Sequence, residues 1–221
     1  MDINITIGVK SPIHLGSGRE DVNIDAEVVY DVCGLPYFPA KRFKGLLYES
    51  ALEVAEMSEL SGCGLISEQT LKELFHHDDT KSNTQLIMSD FHIEPEESYK
   101  DISRQLEELN NNFPELLKPS DVLDAFTSVR YQTALKEGEG VALKGSLRNM
   151  RVVDAGVAFH GTIKLVNGEE RHLRAFALAL RNLKAAGLKR SRGFGRVECT
   201  MQLPDGRTEQ DLIEAALKEA I

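Results

Sequence analysis

Four cationic side chains and three glycines fall within ten consecutive positions near the end of the chain, in GLKRSRGFGRVEC (187–199). Glycines let a turn approach a ligand closely, and unpaired N–H groups of such a turn can surround an anion. Nearby Arg and Lys neutralise phosphate without reading a base sequence. The stretch therefore predicts a site for a nucleic-acid backbone, and a solvated basic turn remains the alternative. The residues concerned are Gly187, Lys189, Arg190, Arg192, Gly193, Gly195 and Arg196.

The chain as a whole is acidic, with a formal net charge of −9 over 221 residues. Its charges are segregated: residues 125–200 hold 14 Lys and Arg against 6 Asp and Glu, a net +8, whereas residues 49–124 hold 5 against 18, a net −13. A polyanion responds to the local field rather than to the average. The acidic total therefore does not exclude RNA, and residues 58–124 are expected to face away from it.

The amino-acid composition limits the classes of protein to which the chain can belong. Apolar residues make up 42% and charged residues 28%, and the uncharged apolar runs are far shorter than the roughly 20 residues of a membrane helix, so no membrane partner is expected. The start, MDINITIGVK, does not have the pattern of a secretory signal, which favours a cytoplasmic location. Cys33, Cys63 and Cys199 are widely spaced without a CxxC pair, and we expect reduced, mostly buried thiols.

The elements that must position the basic turn are predicted from periodicity. Alternating apolar residues predict strands, and intervals of three and four predict helices. The predicted strands are 3–9, 26–31, 84–93, 157–166 and 194–203, and the predicted helices are 41–57, 171–187 with Gly187 as C-cap, and two acidic pieces at 67–75 and 96–109. Residues 130–150 predict a long exposed loop or an extended hairpin.

This order of elements, strand, helix, strand and then strand, helix, strand, predicts an α+β protein with a ferredoxin-like (RRM-like) βαββαβ core. We expect a single domain over residues 1–221. Its core would occupy about 1–57, 84–93 and 149–203, with an acidic helical insertion at about 58–124 and a C-terminal helix at about 208–220. Thr208 and Asp211 stand in a capping arrangement at the start of that last helix.

Several stretches together resemble one protein family. GLKRSRGFGRVE resembles the C-terminal glycine-rich loop of the RAMP superfamily, the ferredoxin-like RNA-binding proteins of CRISPR effector complexes, and most closely of the type III backbone subunits. HLGSG (14–18) resembles the turn after the family's first strand, and GLPYFPAKRFKG (34–45) resembles the segment GLPYIPGSSLKG that opens its first helix. ALKGSLRNMRVVDAGVAFHGTI (142–163) is similar to its thumb hairpin and the following strand, which places a thumb-like hairpin at about 126–150.

The resemblance implies a subunit that binds a guide RNA (crRNA), assembles with copies of itself and with other CRISPR effector subunits, and cleaves the guide-paired target RNA in a metal-dependent manner. In the backbone subunits an aspartate six residues before the one that precedes the GLPY segment is required for cutting, and DAEVVYD places Asp25 there relative to Asp31. Its carboxylate would hold a transient divalent cation (Mg or Mn) or accept the proton of the RNA 2′-hydroxyl.

The chain departs from the family pattern just before that aspartate. Asn23-Ile24 stand where the family has two glycines, so a nuclease-dead RNA-binding subunit stays open. Without the family resemblance, Asp25 would be interpreted as a loop aspartate that forms an Asx-turn or is simply solvated.

Further RNA contacts are predicted around the first helix and the thumb. Lys44, retained in the family's Lys-Gly pair, would contact a guide phosphate near the helix N-terminus, and Arg42 is added on charge alone. The resemblance implies that the thumb kinks the guide–target duplex, which needs side chains that stack on bases. Tyr131 and Met150 are predicted in that role, and the cations predicted along the hairpin are Arg130, Lys144, Arg148 and Arg151.

Two alternatives use other residues. His14 would be the general base of a metal-independent guide-processing endoribonuclease, since RAMP-type processing nucleases use a histidine in the N-terminal half. FHHDD (75–79) offers imidazoles and carboxylates for a metal, but adjacent residues do not all converge on one ion, which favours the end of a solvated helix. The remaining functional hypothesis is a pure binding protein, either the nuclease-dead RAMP subunit or a ferredoxin-like scaffold without an RNA partner.

Overall fold

The chain folds around an antiparallel sheet whose two central strands are β1 (Asp2–Val9) and β7 (Ala158–Val166). The computed structural model describes residues 1–18, 24–75, 83–136, 138 and 140–219. β8 (Val197–Gln202) pairs with the free side of β1, and β3 (Gln85–Met88) pairs with the other side of β7. The spatial order β8, β1, β7, β3 is that of a split βαββαβ sheet, which confirms the predicted ferredoxin-like α+β fold.

Helices α1 (Ala40–Ser61) and α5 (Glu170–Asn182) pack together on one face of the sheet. The alternation predicted for the first strand is confirmed, because Ile3, Ile5 and Ile7 are almost completely buried against this layer. Burying each such side chain stabilises the fold by about 1.5–3 kcal/mol. The opposite face of β1 carries Asp2, Asn4 and Thr6, which are exposed or half-buried.

A cluster of phenylalanines fixes the start of α1 against the sheet. Phe38, in the short strand β2 (Tyr37–Phe38), packs edge-on against Phe43 of α1 and Phe159 of β7. β2 pairs with β4 (Phe91–His92), whose Phe91 ring occupies the space above Gly161. A Cβ at position 161 would lie 2.5 Å from Phe91 Cδ1, so a larger residue there would push the ring away.

The acidic segment contains α2 (Glu68–Phe75), α3 (Glu96–Asn112) and α4 (Pro119–Asp124), and α2 and α3 lie where the two amphipathic pieces were predicted. α2 packs on α5 and α1, and its Leu71 and Leu74 are buried in the core, whereas the residues of α3 are exposed or half-buried. Across the residues that the structure describes, no helix combines the length and apolar character needed to cross a membrane.

The hairpin predicted between the two halves of the core is present as a separate two-stranded sheet. β5 (Thr127–Gln132) pairs with β6 (Arg148–Val153), and an isolated bridge between Leu135 and Ala142 continues the hairpin. Val153 also forms an isolated β-bridge with Ile13, which lies in the turn that follows β1. The base of the hairpin is therefore fixed to the core while its outer part extends from it.

Three sequence predictions about local structure are wrong. The single strand predicted at 84–93 is divided into β3 and β4, which pair with β7 at 163–166 and at His160. Residues 26–31 form isolated bridges, Val28 with Gly16 and Tyr30 with Pro36, instead of a continuous strand, because the two bridges have different partner segments, one earlier and one later in the chain. α5 ends at Asn182, so Gly187 is not its C-cap. The chain leaves the helix early because Lys184 to Ala186 pair with the start of β8, as shown by the 2.9 Å bond from Val197 N to Lys184 O.

The C-terminal helix α6 (Glu209–Glu219) begins as the sequence predicted. The backbone N–H and the hydroxyl of Thr208 both donate to Asp211 Oδ2, each at 2.8 Å. Buried Leu212 packs this helix onto the core, where α6 contacts α5 and β8.

Candidate nucleic-acid interface and cleavage site

A cleft of about 570 Å³ opens where four separate segments of the chain meet. It lies between the turn after β1, the segment that carries Asp25, the first turns of α1 and the beginning of the glycine-rich loop. It brings together Asp25, Arg42, Gly187 and His14, which the sequence had proposed from four separate motifs. Residues 58–124 are not among the described residues that line this cleft. The full lining is His14, Gly16, Ser17, Gly18, Asp25, Ala26, Glu27, Arg42, Leu46, Gly187 and Leu188.

Asp25 is exposed at the surface of the cleft and is held by a residue of the hairpin. Its N–H donates to Asn149 Oδ1 at 2.7 Å, and the N–H of Asn149 donates to Asp25 Oδ2 at 2.8 Å. The preceding Ile24 is buried and anchors the segment, and the N–H of Arg151 donates to Ala26 O at 3.0 Å. The carboxylate is therefore fixed relative to strand β6.

Arg151 lies inside this junction instead of on the exposed surface of the hairpin. Its guanidinium pairs with Glu27, with Nε 3.1 Å from Glu27 Oε1, and its Nη1 contacts Asp124 and donates to Thr127 Oγ1 at 3.0 Å. The side chain is 12% exposed, and that of Glu27 is 7% exposed. These partners occupy the cationic group, so we do not include Arg151 among the proposed RNA contacts.

His14 forms a buried wall of the cleft and is 2% exposed. Its Nδ1 lies 2.7 Å from the carbonyl oxygen of Arg151, which only accepts hydrogen bonds, so Nδ1 carries the proton and Nε2 is unprotonated in the neutral ring. Burial lowers the pKa of His14. The bond to Arg151 opposes this shift, and the nearby cations Lys189 and Arg42 reinforce it. His14 is therefore neutral near pH 7.

The glycine-rich loop crosses close to this wall. Gly187 adopts φ +78°, and a Cβ there would lie 2.7 Å from His14 O; Gly195 adopts φ +75°, and a Cβ there would lie 1.9 Å from Ala186 O. Both positions thus require glycine for the backbone angle and for the close approach. Arg190 to Arg192 form a single 3₁₀ turn at the tip of the loop.

The cationic side chains of this loop differ in whether they are free to contact a ligand or are already engaged by the protein. Arg192 and Arg196 are exposed, and neither side chain has an ion-pair partner among the described residues. Arg190 is 4.0 Å from Glu49, a weak contact at the surface. Lys189 turns towards the hairpin base, where its Nζ donates to Gln132 Oε1 and lies 3.4 Å from Met150 Sδ. The loop and the hairpin are therefore in direct contact.

The hairpin presents both charge and apolar surface to solvent. Arg130, Lys144 and Arg148 are exposed, as is Tyr131, which is available to stack on a base. Met150 is buried, so its predicted stacking role is wrong: its Sδ lies 3.5 Å from Gln132 Nε2 and 3.4 Å from Lys189 Nζ. Four large aliphatic side chains that were not predicted as RNA contacts are also exposed here: Leu135, Val141, Leu143 and Leu147. The sequence feature that could have identified these side chains is the recurrence of apolar residues within a glycine- and lysine-rich stretch.

Lys44 is half-buried on the second turn of α1 and is not among the residues that line the cleft. The helix begins after Pro39, and its first amide, that of Ala40, donates to Asp90 Oδ1 at 2.8 Å. Arg42 reaches the cleft and donates through Nη2 to Gly16 O. Of the two cations predicted on this helix, Arg42 is therefore the one that contacts the candidate site.

A divalent cation would find only part of a coordination shell in the protein. The described residues contain no group of three or more His, Cys, Asp or Glu that could hold a metal, and His76, His77, Asp78 and Asp79 lie outside them. Among the described residues no donor contacts Asp25 Oδ1, so that oxygen is available. Mg²⁺ is commonly held by one or two carboxylates together with substrate phosphates and waters, so Asp25 fits such a site only in combination with RNA.

The chain matches the family model of the RAMP superfamily over residues 6–198 and therefore belongs to that superfamily. Its fold is similar to that of a solved chain described as "Cryo-EM structure of the Type III-B Cmr-beta bound to cognate target RNA", with a TM-score of 0.63 and 15% identity over 96% of this chain and 99% of the other. A second, described as "Type III-B Cmr-beta Cryo-EM structure of the Apo state", has a TM-score of 0.60 and 14% identity, with the same coverage. Nothing matches among the curated proteins.

Proposed function

We propose that this chain is a guide-RNA-binding backbone subunit of a type III CRISPR effector complex and that it cleaves guide-paired target RNA at Asp25. The observation that carries the proposal is the meeting of an exposed carboxylate, the glycine-rich basic loop and the base of the hairpin around one cleft. Membership of the RAMP superfamily and similarity to chains from type III-B structures, one of them bound to target RNA, support the same assignment.

The proposed guide-binding surface combines the cations that remain available. Arg192 and Arg196 of the glycine-rich loop, Arg42 and Lys44 of α1, and the exposed cations of the hairpin would neutralise phosphates. The loop glycines Gly187, Gly193 and Gly195 let the backbone come close to that strand of RNA. Tyr131 and the exposed aliphatic residues of the hairpin would separate stacked bases, which exposes one phosphate beside the cleft.

The proposed reaction uses the nucleophile that RNA itself carries. The 2′-oxygen attacks the adjacent phosphorus, a P–O2′ bond forms and the P–O5′ bond breaks, so the products are a 2′,3′-cyclic phosphate and a 5′-hydroxyl. The proton of the 2′-hydroxyl leaves towards the Asp25 carboxylate or a water beside it, and the leaving 5′-oxygen takes a proton from solvent. Asp25 would hold the divalent cation (Mg or Mn), which would supply charge neutralisation when bound.

The binding part is tested by sizing and titration. The full chain is mixed with a guide RNA at several salt concentrations, and we expect larger assemblies only with RNA and an affinity that falls steeply with salt. A chain that stays monomeric and binds no RNA at moderate salt would leave the ferredoxin-like scaffold as the answer. Assembly with copies of itself and with other effector subunits is part of this proposal.

The catalytic part is tested separately with Asp25→Ala. We expect target cleavage to be lost while guide affinity stays unchanged, and Asp101→Ala, which removes an exposed carboxylate from α3, serves as the matched control. Binding without cleavage in the wild-type chain would identify a nuclease-dead RNA-binding subunit. Cleavage that persists in Asp25→Ala would move the active site elsewhere.

A second candidate function, metal-independent guide processing, is favoured by one observation: His14 lies in the same cleft with an unprotonated Nε2. Its 2% exposure argues against direct contact with a 2′-hydroxyl in this conformation. Cleavage of precursor RNA that survives EDTA and is lost in His14→Ala would favour this function over the first.

A further inference from the structure

We propose that Asn149 is a positioning residue, which sets the orientation of the Asp25 carboxylate for RNA cleavage and ties it to the base of the hairpin. This inference rests on the proposed cleavage function. The two residues are 124 positions apart in the sequence and exchange two hydrogen bonds, Asp25 N to Asn149 Oδ1 at 2.7 Å and Asn149 N to Asp25 Oδ2 at 2.8 Å.

The two bonds restrict different parts of Asp25. The bond to Asn149 Oδ1 fixes the backbone amide of Asp25, and the bond from Asn149 N fixes one oxygen of its side chain. An exposed aspartate without such contacts is free to exchange between rotamers. With Oδ2 held, Oδ1 is the oxygen left for a substrate proton or a cation, and no donor among the described residues competes for it.

Other contacts keep the segment in place without the Asn149 side chain. Ile24 is buried, the N–H of Arg151 donates to Ala26 O at 3.0 Å, and Arg151 pairs with Glu27. Removing the Asn149 side-chain amide would therefore release the backbone N–H of Asp25 and loosen the segment locally, while the backbone N–H of Asn149 can still donate to Asp25 Oδ2 and the junction around it remains. This separation of local orientation from overall stability makes a positioning role measurable.

The location of Asn149 gives the pair a further consequence. It lies on β6 beside exposed Arg148 and directly opposite Tyr131 in the hairpin ladder. The residue that contacts Asp25 is thus the direct cross-strand neighbour of a side chain proposed to contact the splayed bases.

The test compares Asn149→Leu, which is similar in size but has no acceptor, with Asn149→Asp, which keeps an oxygen that can accept the Asp25 N–H. Single-turnover cleavage of target RNA is measured at saturating RNA with the full chain assembled on guide RNA. We expect a rate loss of about 10- to 100-fold for Asn149→Leu, with unchanged guide and target affinity, and recovery of most of the rate in Asn149→Asp. Asn149→Ala serves in the same way if Asn149→Leu impairs folding.

A structural readout and a control accompany the rates. Hydrogen exchange at the Asp25 amide should speed up in Asn149→Leu and return towards the wild-type rate in Asn149→Asp. Ser128→Ala removes a different bond at the hairpin base, that from Ser128 Oγ to Asp154 Oδ1 at 2.6 Å, and should leave the cleavage rate unchanged.

Failure of this inference is distinguishable from failure of the proposed function. If Asp25→Ala abolishes cleavage and Asn149→Leu cleaves at the wild-type rate, Asn149 has no positioning role although the cleavage function stands. An equal loss of rate in Asn149→Leu and Ser128→Ala would likewise overturn it, in favour of general hairpin stability. If Asp25→Ala still cleaves, both proposals fail together, and that variant alone reveals it.

Discussion

Arg151 Nε lies 3.1 Å from Glu27 Oε1, and this ion pair joins the segment that carries Asp25 to strand β6 of the hairpin. Both side chains are almost completely buried, and Asp124 contacts the same guanidinium from its exposed side. Removing one partner of such a pair leaves the other charge buried without compensation. An arginine that the sequence assigned to RNA is therefore a structural cation.

Arg151→Met should lower the free energy of unfolding by roughly 3 kcal/mol, because it leaves the Glu27 carboxylate buried and unpaired. Guide-RNA affinity per folded molecule should not change. Urea denaturation and an RNA titration of the same sample measure both quantities. Arg104→Met, which removes an exposed pair with Asp101, is the control and should cost less than about 1 kcal/mol. A large loss of affinity in folded Arg151→Met would return this residue to the RNA surface.

Arg192→Ala and Arg196→Ala should each weaken guide-RNA binding, because both guanidinium groups are exposed and have no ion-pair partner among the described residues. Each should also reduce the slope of log affinity against log salt by about 0.7 to 1. The measurement is a fluorescence titration at several salt concentrations. Arg104→Ala on the acidic helix α3 should alter neither value, and an equal effect there would point to net charge instead of a local contact.

Gly195→Ala should destabilise the loop strongly, since its φ is +75° and the added Cβ would lie 1.9 Å from Ala186 O. Gly193→Ala has a similar backbone angle, φ +83°, but its Cβ would meet nothing within 4 Å, so only the backbone cost of about 1–2 kcal/mol applies. Thermal unfolding of the two variants separates the contributions. Equal melting temperatures would contradict the close approach of Gly195 to Ala186.

Tyr99→Phe should reduce the stability of the protein at neutral pH. It should also make the loss of stability at alkaline pH smaller than in the wild type. The Tyr99 hydroxyl donates to Asp31 Oδ2 at 2.6 Å, and its ring stacks on His92. Burial, followed by the bond to Asp31, raises the pKa of Tyr99 to about 12, from about 10 for a free phenol. The folded state therefore holds the phenol proton more tightly than the unfolded state does. The stabilisation that this proton contributes to the folded state is complete below pH about 10 and is lost as pH rises towards 12.

Denaturation of wild type and Tyr99→Phe between pH 8 and pH 11.5 measures that contribution as a difference. The advantage of the wild type over the variant should shrink as pH rises. Tyr131→Phe is the matched control, because that side chain is exposed on the hairpin. A difference that stays constant over the whole range would show that the Asp31 bond does not retain the phenol proton.

Local patterns were sufficient for most of the core and for the motifs of the site. The alternation of Ile3, Ile5 and Ile7 predicted a buried strand face, and the glycines and cations of residues 187–196 predicted a turn able to approach an anion. These features depend on neighbours within a few positions, so the sequence contains the relevant information. The strand predicted at 26–31 is absent because its pairing is divided between two different segments, at Gly16 and at Pro36.

By itself, then, the sequence determined the fold class, the RAMP resemblance, and the proposal of Asp25 together with a basic glycine-rich loop. Only the tertiary structure decided which cation is available and which is internal: it pairs Arg151 with Glu27, turns Lys189 to the hairpin and buries Met150. It also brings Asn149 to Asp25. The physical reason is distance along the chain, since a side chain's role depends on the partner that faces it, and these partners meet only when the hairpin packs on the core.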